Sequence, residues 1–517
     1  MRRTTSLAFL SLFLAAALTP IAALPGAAFL EPHPGFADLG ALPEPLELPN
    51  LKVAALLASG LAPQELASYE SRLDGFIQAL DAELGRNADQ AAGAITGKMA
   101  EAVLIYLHKN VLRSYREDAS TLDGILGSGY YNCVSSAVLY LIAARSLGIE
   151  TSGARTSDHA FCTVLVAGRV VDVETTNPYG FDPGGKKEFK DSFGRVTGYA
   201  YVAPGGYGDR KAIGGRELIG LILSNRASML ERSGGFAEAA KIGADYAALC
   251  PGADSRAFQI DRIGNLVADL ESRRDYAAAE AAARAAAAAL PGESRLTALS
   301  ETATYNRAAA LESAGDWKAA FDAAVLLASG DGAAALVSSS LAALAQDYAR
   351  KGDFAGARAA VAERSTRAGL AAAAGALATV GEIELVRAAN GLPFAQAAAV
   401  ADRVLAAGEV SAARYSQVIA AIYGNEAARI GEGGDWLGAA ALAEKGGLKA
   451  KGDGSLARLA RTMRLNFVAE AHNSFARLYN AGDYAGAKAA LTAALAALPD
   501  EAALKSDLAA ANAALAR

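Results

Sequence analysis

Three kinds of side chain needed for acyl transfer stand close together in this chain. Cys133 opens an apolar helical run in "GYYNCVSSAVLYL" (129–141), His159 follows in "SDHAF", and Asp172 and Glu174 lie in "RVVDVETT". A thiol can attack a carbonyl carbon, an imidazole can take and return the proton, and a carboxylate can fix the imidazole's tautomer and orientation. The chain has three cysteines and four histidines in 517 residues, so the grouping draws on a scarce supply. A cysteine in the first turn of a helix also faces the positive end of the helix dipole and unpaired N–H groups, and both favour a thiolate.

The elements that must position these residues follow from hydrophobic period. Helical spacing runs from about Pro63 to Leu84 and from about Asp89 to Tyr115, and the second run is apolar all round at its centre, as a buried helix would be. His108 lies in that run, where a core or capping role is expected. The Cys133 helix continues to about Leu147 and is closed by Gly148. Asn132 stands where its side chain can cap that helix. Beyond it, "TSGART", "HAFCTVLVAG", "RVVDVETT" and "GYAYVA" alternate and are β-branched, with Gly168 turning the second into the third, which predicts antiparallel strands. On these strands His159, Phe161 and Thr163 share one face, and Cys162 faces the core. Asp172 and Glu174 are two apart and share a face, so hairpin pairing brings one of them beside His159. The spacing leaves open which. The stretch 177–195 is rich in turn formers and aromatics and is expected to be a loop beside the site. Asn132, Tyr179 and Phe181 are the residues placed to contact a substrate there.

The order of cysteine helix, histidine strand and acidic strand resembles the transglutaminase-like superfamily, whose fold is papain-like. The matching stretches are "YNCVSSAVLYLIAARSLGI" (131–149), "HAF" (159–161) and "VVDVETT" (170–176), within about residues 100–205. The resemblance implies an α+β domain and a Cys-His-acid triad of Cys133, His159 and either Glu174 or Asp172. This sequence has Glu174 ahead of Thr175-Thr176 where the family usually carries aspartate, and Phe161 where it commonly has tryptophan. The resemblance also inclines toward hydrolysis over transfer to an amine.

From about Gly214 the strand signal ends and a repeat begins. An aromatic is followed by alanine three residues later at Phe236, Tyr276, Trp317, Phe354, Phe394, Trp436 and Tyr484, at intervals of 37 to 48 residues. Aspartate precedes five of them (275, 316, 353, 435 and 483), where it can cap a helix, and Pro251, Pro291 and Pro499 can end one. The segment "GDYAGAKAALTAALAALPD" (482–500) resembles the second helix of a tetratricopeptide repeat, with a period longer than the usual 34. An all-α tetratricopeptide-like solenoid is therefore expected over 212–517, after a transglutaminase-like domain over 51–211.

At the other end, Arg2 and Arg3 precede an apolar stretch from Leu7 to Leu18, and small residues follow at 26–28. That layout predicts a signal peptide over 1–28, cleaved after Ala28, and an exported, periplasmic or extracellular protein. Residues 29–50 contain five prolines and read as a linker or arm. The net charge of −6 comes without a basic stripe, which argues against a nucleic-acid partner. No later segment has the run of about 18 apolar residues a membrane span needs. Cys133, His159, Cys162 and Asp172 lack the close-paired spacing of a structural zinc site, and no phosphate-binding glycine loop stands in strand–loop–helix context, so neither metal nor cofactor is expected. Two functions remain: an exported cysteine acyl-transfer enzyme whose repeats bind a protein or peptide partner, or an inactive transglutaminase-like scaffold that works through the repeats alone.

Overall fold

The computed structural model describes residues 27–85, 94–198, 208–327 and 330–517. The predicted signal peptide and the predicted strand "GYAYVA" lie outside the described residues, apart from their edges. The chain divides into two compact units, one up to Ala303 and one from Thr304.

In the first unit a small sheet is set among helices. The elements in order are α1 (Phe36–Ala41), α2 (Leu48–Ala58), α3 (Pro63–Leu84), α4 (Ala94–Asn110), β1 (Ser114–Tyr115), α5 (Leu122–Ser128), β2 (Tyr130–Tyr131), α6 (Cys133–Ser146), β3 (Thr151–Arg155), β4 (Ala160–Val166), β5 (Arg169–Val173), α7 (Lys187–Thr197) and β6 (Lys211–Ile213). The strands form an antiparallel sheet of order β5-β4-β3-β6, and β1 and β2 make a two-residue parallel pair. The hairpin turn between β4 and β5 is Ala167–Gly168, as expected of Gly168.

Residues Val134–Ala144 of α6 are buried without interruption, because α2, α3, α4, α5, β3 and β4 surround the helix. A helix apolar on every side can settle only in such a position. It fixes where Cys133 sits.

Two expectations are corrected here. Residues 29–50 are not a free arm. Phe36, Leu39 and Leu46 are buried in the main core, Phe29 is buried among later helices, and Arg216 grips the Gly40 and Leu42 carbonyls (2.7 and 2.5 Å). The prolines shape this segment, but its four large apolar side chains decide where it goes. Nor does the core end at the expected boundary of 211/212. Leu218, Ile219, Ile222 and Leu223 join the same core, so the first helices of the repeat region belong to the first unit.

The repeat region consists of helix pairs: α8 (Gly215–Arg232) with α9 (Phe236–Leu249), α10 (Ala253–Ser272) with α11 (Tyr276–Ala289), α12 (Ser294–Ala314) with α13 (Trp317–Ala324), α14 (Asp331–Arg350) with α15 (Phe354–Ala368), α16 (Leu370–Gly391) with α17 (Phe394–Ala406), α18 (Ala412–Glu432) with α19 (Trp436–Lys449), and α20 (Ser455–Asn480) with α21 (Tyr484–Ala497), followed by α22 (Ala502–Leu515). Each of the seven aromatics is the first residue of a second helix. All five aspartates cap those helices, accepting from the backbone N–H three residues on at 2.8–3.1 Å. Ala239, Ala279, Ala320, Ala357, Ala397, Ala439 and Ala487 are all buried, where a larger side chain would hold the paired helices apart. The long period comes from the first helices, which run to 18–26 residues against 8–15 for the second. No helix among the described residues is long and apolar enough to cross a membrane.

Candidate active site

Cys133 is the first residue of α6 and is partly exposed. Its placement rests on Asn132, whose side-chain oxygen accepts from the N–H groups of Val134 (3.0 Å) and Ser135 (3.1 Å) while its amide donates to Ser120 Oγ (2.6 Å) and the Glu117 carbonyl (3.0 Å). Ser135 Oγ returns the cap by accepting from Asn132 N–H at 3.0 Å. Asn132 is buried with both polar ends in use, so the expectation that it touches substrate is corrected: it is a cap.

His159 precedes β4. Its backbone is closed into the β3–β4 turn by Thr156, which accepts from His159 N–H through Oγ1 (3.1 Å) and donates to the His159 carbonyl (2.8 Å). His159 Nε2 meets Glu174 Oε2 at 2.5 Å, and the Cys133 thiol lies near enough to the ring to favour its protonated form. Burial works against the imidazolium. The Glu174 charge and hydrogen bond, with the nearby Cys133 thiol, outweigh it and hold the pKa up at about 11. Burial likewise opposes the Glu174 carboxylate, yet the His159 charge and hydrogen bonds from His159 and Thr176 hold its pKa below the ordinary value. The second oxygen, Oε1, accepts from Thr176 N–H (3.1 Å) and Oγ1 (2.7 Å).

The strand register decides between the two carboxylates. Thr163 lies opposite Asp172, and the same register extended puts Phe161 opposite Glu174. His159 is thus one diagonal step from Glu174 and two from Asp172, at roughly 3.3 Å per residue. The extra methylene of glutamate suits the diagonal. Asp172 instead takes a bidentate pair from Arg210 (2.7 Å at each oxygen), and that guanidinium lies over the Phe161 ring. Asp172 is therefore not brought to the imidazole.

Cys162 is buried on the opposite face with its Sγ donating to the Ala137 carbonyl at 3.2 Å, and burial pushes its thiol pKa up. All three cysteines are free.

The stretch 177–195 is a loop only in its first half. Lys187–Thr197 is helix α7, and its buried Phe189 and Phe193 pack together, with Phe193 edge-on to His159 at 6.1 Å. The i, i+4 spacing of Phe189, Phe193 and Thr197 carries that signal. Tyr179 is half exposed and remains available to a ligand. Phe181 packs against the core, bridges to Val173 and carries Lys186 over its ring, so substrate contact is not its main role. Between them Gly180 folds back on Glu174: its carbonyl accepts from Glu174 N–H at 2.7 Å, and a Cβ there would stand 1.9 Å from the Glu174 carbonyl oxygen.

Among the described residues no cluster of three or more metal-binding side chains occurs. No protein-family model matches this chain, and no curated protein matches it.

Proposed function

We propose that this chain carries a transglutaminase-like cysteine acyl-transfer site, with Cys133 as nucleophile, His159 as proton carrier and Glu174 as the orienting acid. The observation that carries this reading is the ring of His159 bound to the Glu174 carboxylate beside a cysteine that starts a helix. In the forward step the Cys133 sulfur bonds to a carbonyl carbon of an amide, and the carbonyl oxygen takes the electron pair beside the Cys133 N–H. Collapse breaks the C–N bond, and the imidazolium of His159 gives its proton to the departing amine, leaving a thioester. Water or an amine then attacks the thioester, gives its proton to His159 and releases the thiolate, restoring the thiolate–imidazolium pair. Glu174 stays ionised throughout and holds the Nε2–H. With water as acceptor the reaction is that of a peptidase or amidase, the direction the resemblance favours.

The helix pairs, tetratricopeptide-like in their aromatic–alanine spacing and longer in period, are read as the binding surface for a protein or peptide partner. The basic, apolar and small-residue order of the first 28 residues supports export.

The test is the rate of iodoacetamide alkylation at Cys133 against pH, mapped by mass spectrometry, in the wild type and in His159→Ala. The reading expects fast alkylation at about pH 6, well below the range of a free thiol, and its loss in His159→Ala. Identical profiles in the two proteins would leave the repeats as the functional part of a scaffold.

A further inference from the structure

Resting on that reading, we propose that His108 is a positioning residue for the triad: its Nε2–H holds the Thr175 carbonyl and so fixes the Glu174 carboxylate against His159.

The segment 174–177 is buried throughout, and four different elements hold polar groups of it. The Thr175 carbonyl accepts from His108 Nε2 in α4 at 3.0 Å, and the Thr176 carbonyl accepts from the Tyr131 hydroxyl in β2 at 3.2 Å. Thr175 Oγ1 pairs with Ser136 Oγ in α6 at 2.8 Å, and the Asn177 amide donates to Ser192 Oγ in α7 at 2.7 Å. Tyr131 and Ser136 flank Cys133 at two residues before and three after. The element that carries the nucleophile therefore also grips the segment that carries the acid.

His108 supplies, from α4, a fixed point on Thr175 outside the nucleophile's own neighbourhood. Its ring stands edge-on to Tyr131 at 5.8 Å and 82°, which holds the imidazole plane toward the segment. A carbonyl only accepts, so Nε2 must carry hydrogen. Burial keeps this histidine neutral, with its pKa lowered to about 4 against the pull of the Thr175 bond and the Glu174 charge. The two histidines that serve one carboxylate segment thus differ in state: His159 is charged and acts on the thiol, and His108 is neutral and acts only as a donor. A loose Thr175 would free both Glu174 and Thr176, the donor to its second oxygen, in one movement. The effect would reach Cys133 through His159, without any contact between His108 and the sulfur.

The experiment follows Cys133 alkylation by iodoacetamide against pH in the full chain, in His108→Phe, His108→Gln, Tyr131→Phe and His159→Ala. His108→Phe keeps a ring and removes the donor, and it should slow alkylation at about pH 6 by about tenfold, the worth of one buried hydrogen bond. His108→Gln restores a donor and should recover most of that loss. An unchanged profile in His108→Phe, or equal loss in His108→Phe and His108→Gln, would overturn the positioning role while a shifted His159→Ala keeps the acyl-transfer reading standing. An unshifted His159→Ala would overturn both. If His108→Phe fails to fold, Tyr131→Phe reads the same segment: a smaller shift in the same direction supports the inference, and none overturns it.

Discussion

The region around Glu174 and the helix pairs solve the same problem, burying backbone groups with partners, by opposite means. In the helix pairs the device is local and repeated: an aspartate caps the N–H three residues on, and an alanine one further residue along lets the neighbouring helix close in. Around Glu174 the partners are distant and each is used once. His108 lies 67 residues from Thr175, Tyr131 45 from Thr176, and Ser136 39 from Thr175. A repeated local contact can be lost at one copy and survive in the others. A network assembled from four elements has no second copy, so its parts should fail together.

The strongest challenge to that contrast is Glu174→Ala. It strips a buried ion pair of one partner and leaves the Thr176 donors unmet, and it should cost about 3–5 kcal/mol. Urea unfolding would measure it, and a loss below about 1 kcal/mol would show the network to be as forgiving as a cap. Next comes Gly180→Ala. The intruding methyl would meet backbone, the Glu174 carbonyl, and should cost about 3 kcal/mol together with the fast alkylation of Cys133.

The pH dependence should come from the two histidines with opposite signs. His108 falls from 6.5 unfolded to about 4 folded, so the unfolded chain binds the extra proton in that window and stability drops as pH falls through it. His159 rises from 6.5 to about 11, so its contribution is complete below 6.5 and is lost as pH rises toward 11. Glu174, held below its ordinary value of 4.5, adds to the acid loss only under that pH. Thermal midpoints against pH should flatten on the acid side in His108→Gln and on the alkaline side in His159→Gln. The reverse assignment would contradict the geometry.

In the repeats the effects should be small. Asp435→Ala removes one cap and should cost about 1 kcal/mol. Gly438→Ala should be the smallest change, neutral or stabilising by up to about 1 kcal/mol, although a Cβ there would fall 2.1 Å from the Asp435 carboxylate. The obstruction is a side chain that can shift, and Ala278 and Ala319 already occupy the equivalent position beside their own aspartates. Similar crowding at Gly180 and Gly438 should thus give opposite outcomes, because one neighbour is backbone and the other is not.

By itself the sequence determined whatever depends on neighbours a few residues apart. It set the helix start at Cys133, the turn at Gly168, the alternation that turns Cys162 inward, and all seven second-helix starts in the repeats, because caps, turns and periodicity act within one or two turns of chain. What only the tertiary structure decided depends on register and on contacts between distant segments. Glu174 meets His159 and Asp172 meets Arg210 because of a strand register that spacing alone leaves open by one step. His108 reaches Thr175 because α4 packs against α6 and β4. The proline-rich segment at 29–50 is bound down because Phe29, Phe36, Leu39 and Leu46 find a core there. Composition signals that a segment is irregular, whereas burial of its few large side chains depends on surfaces built from residues far along the chain.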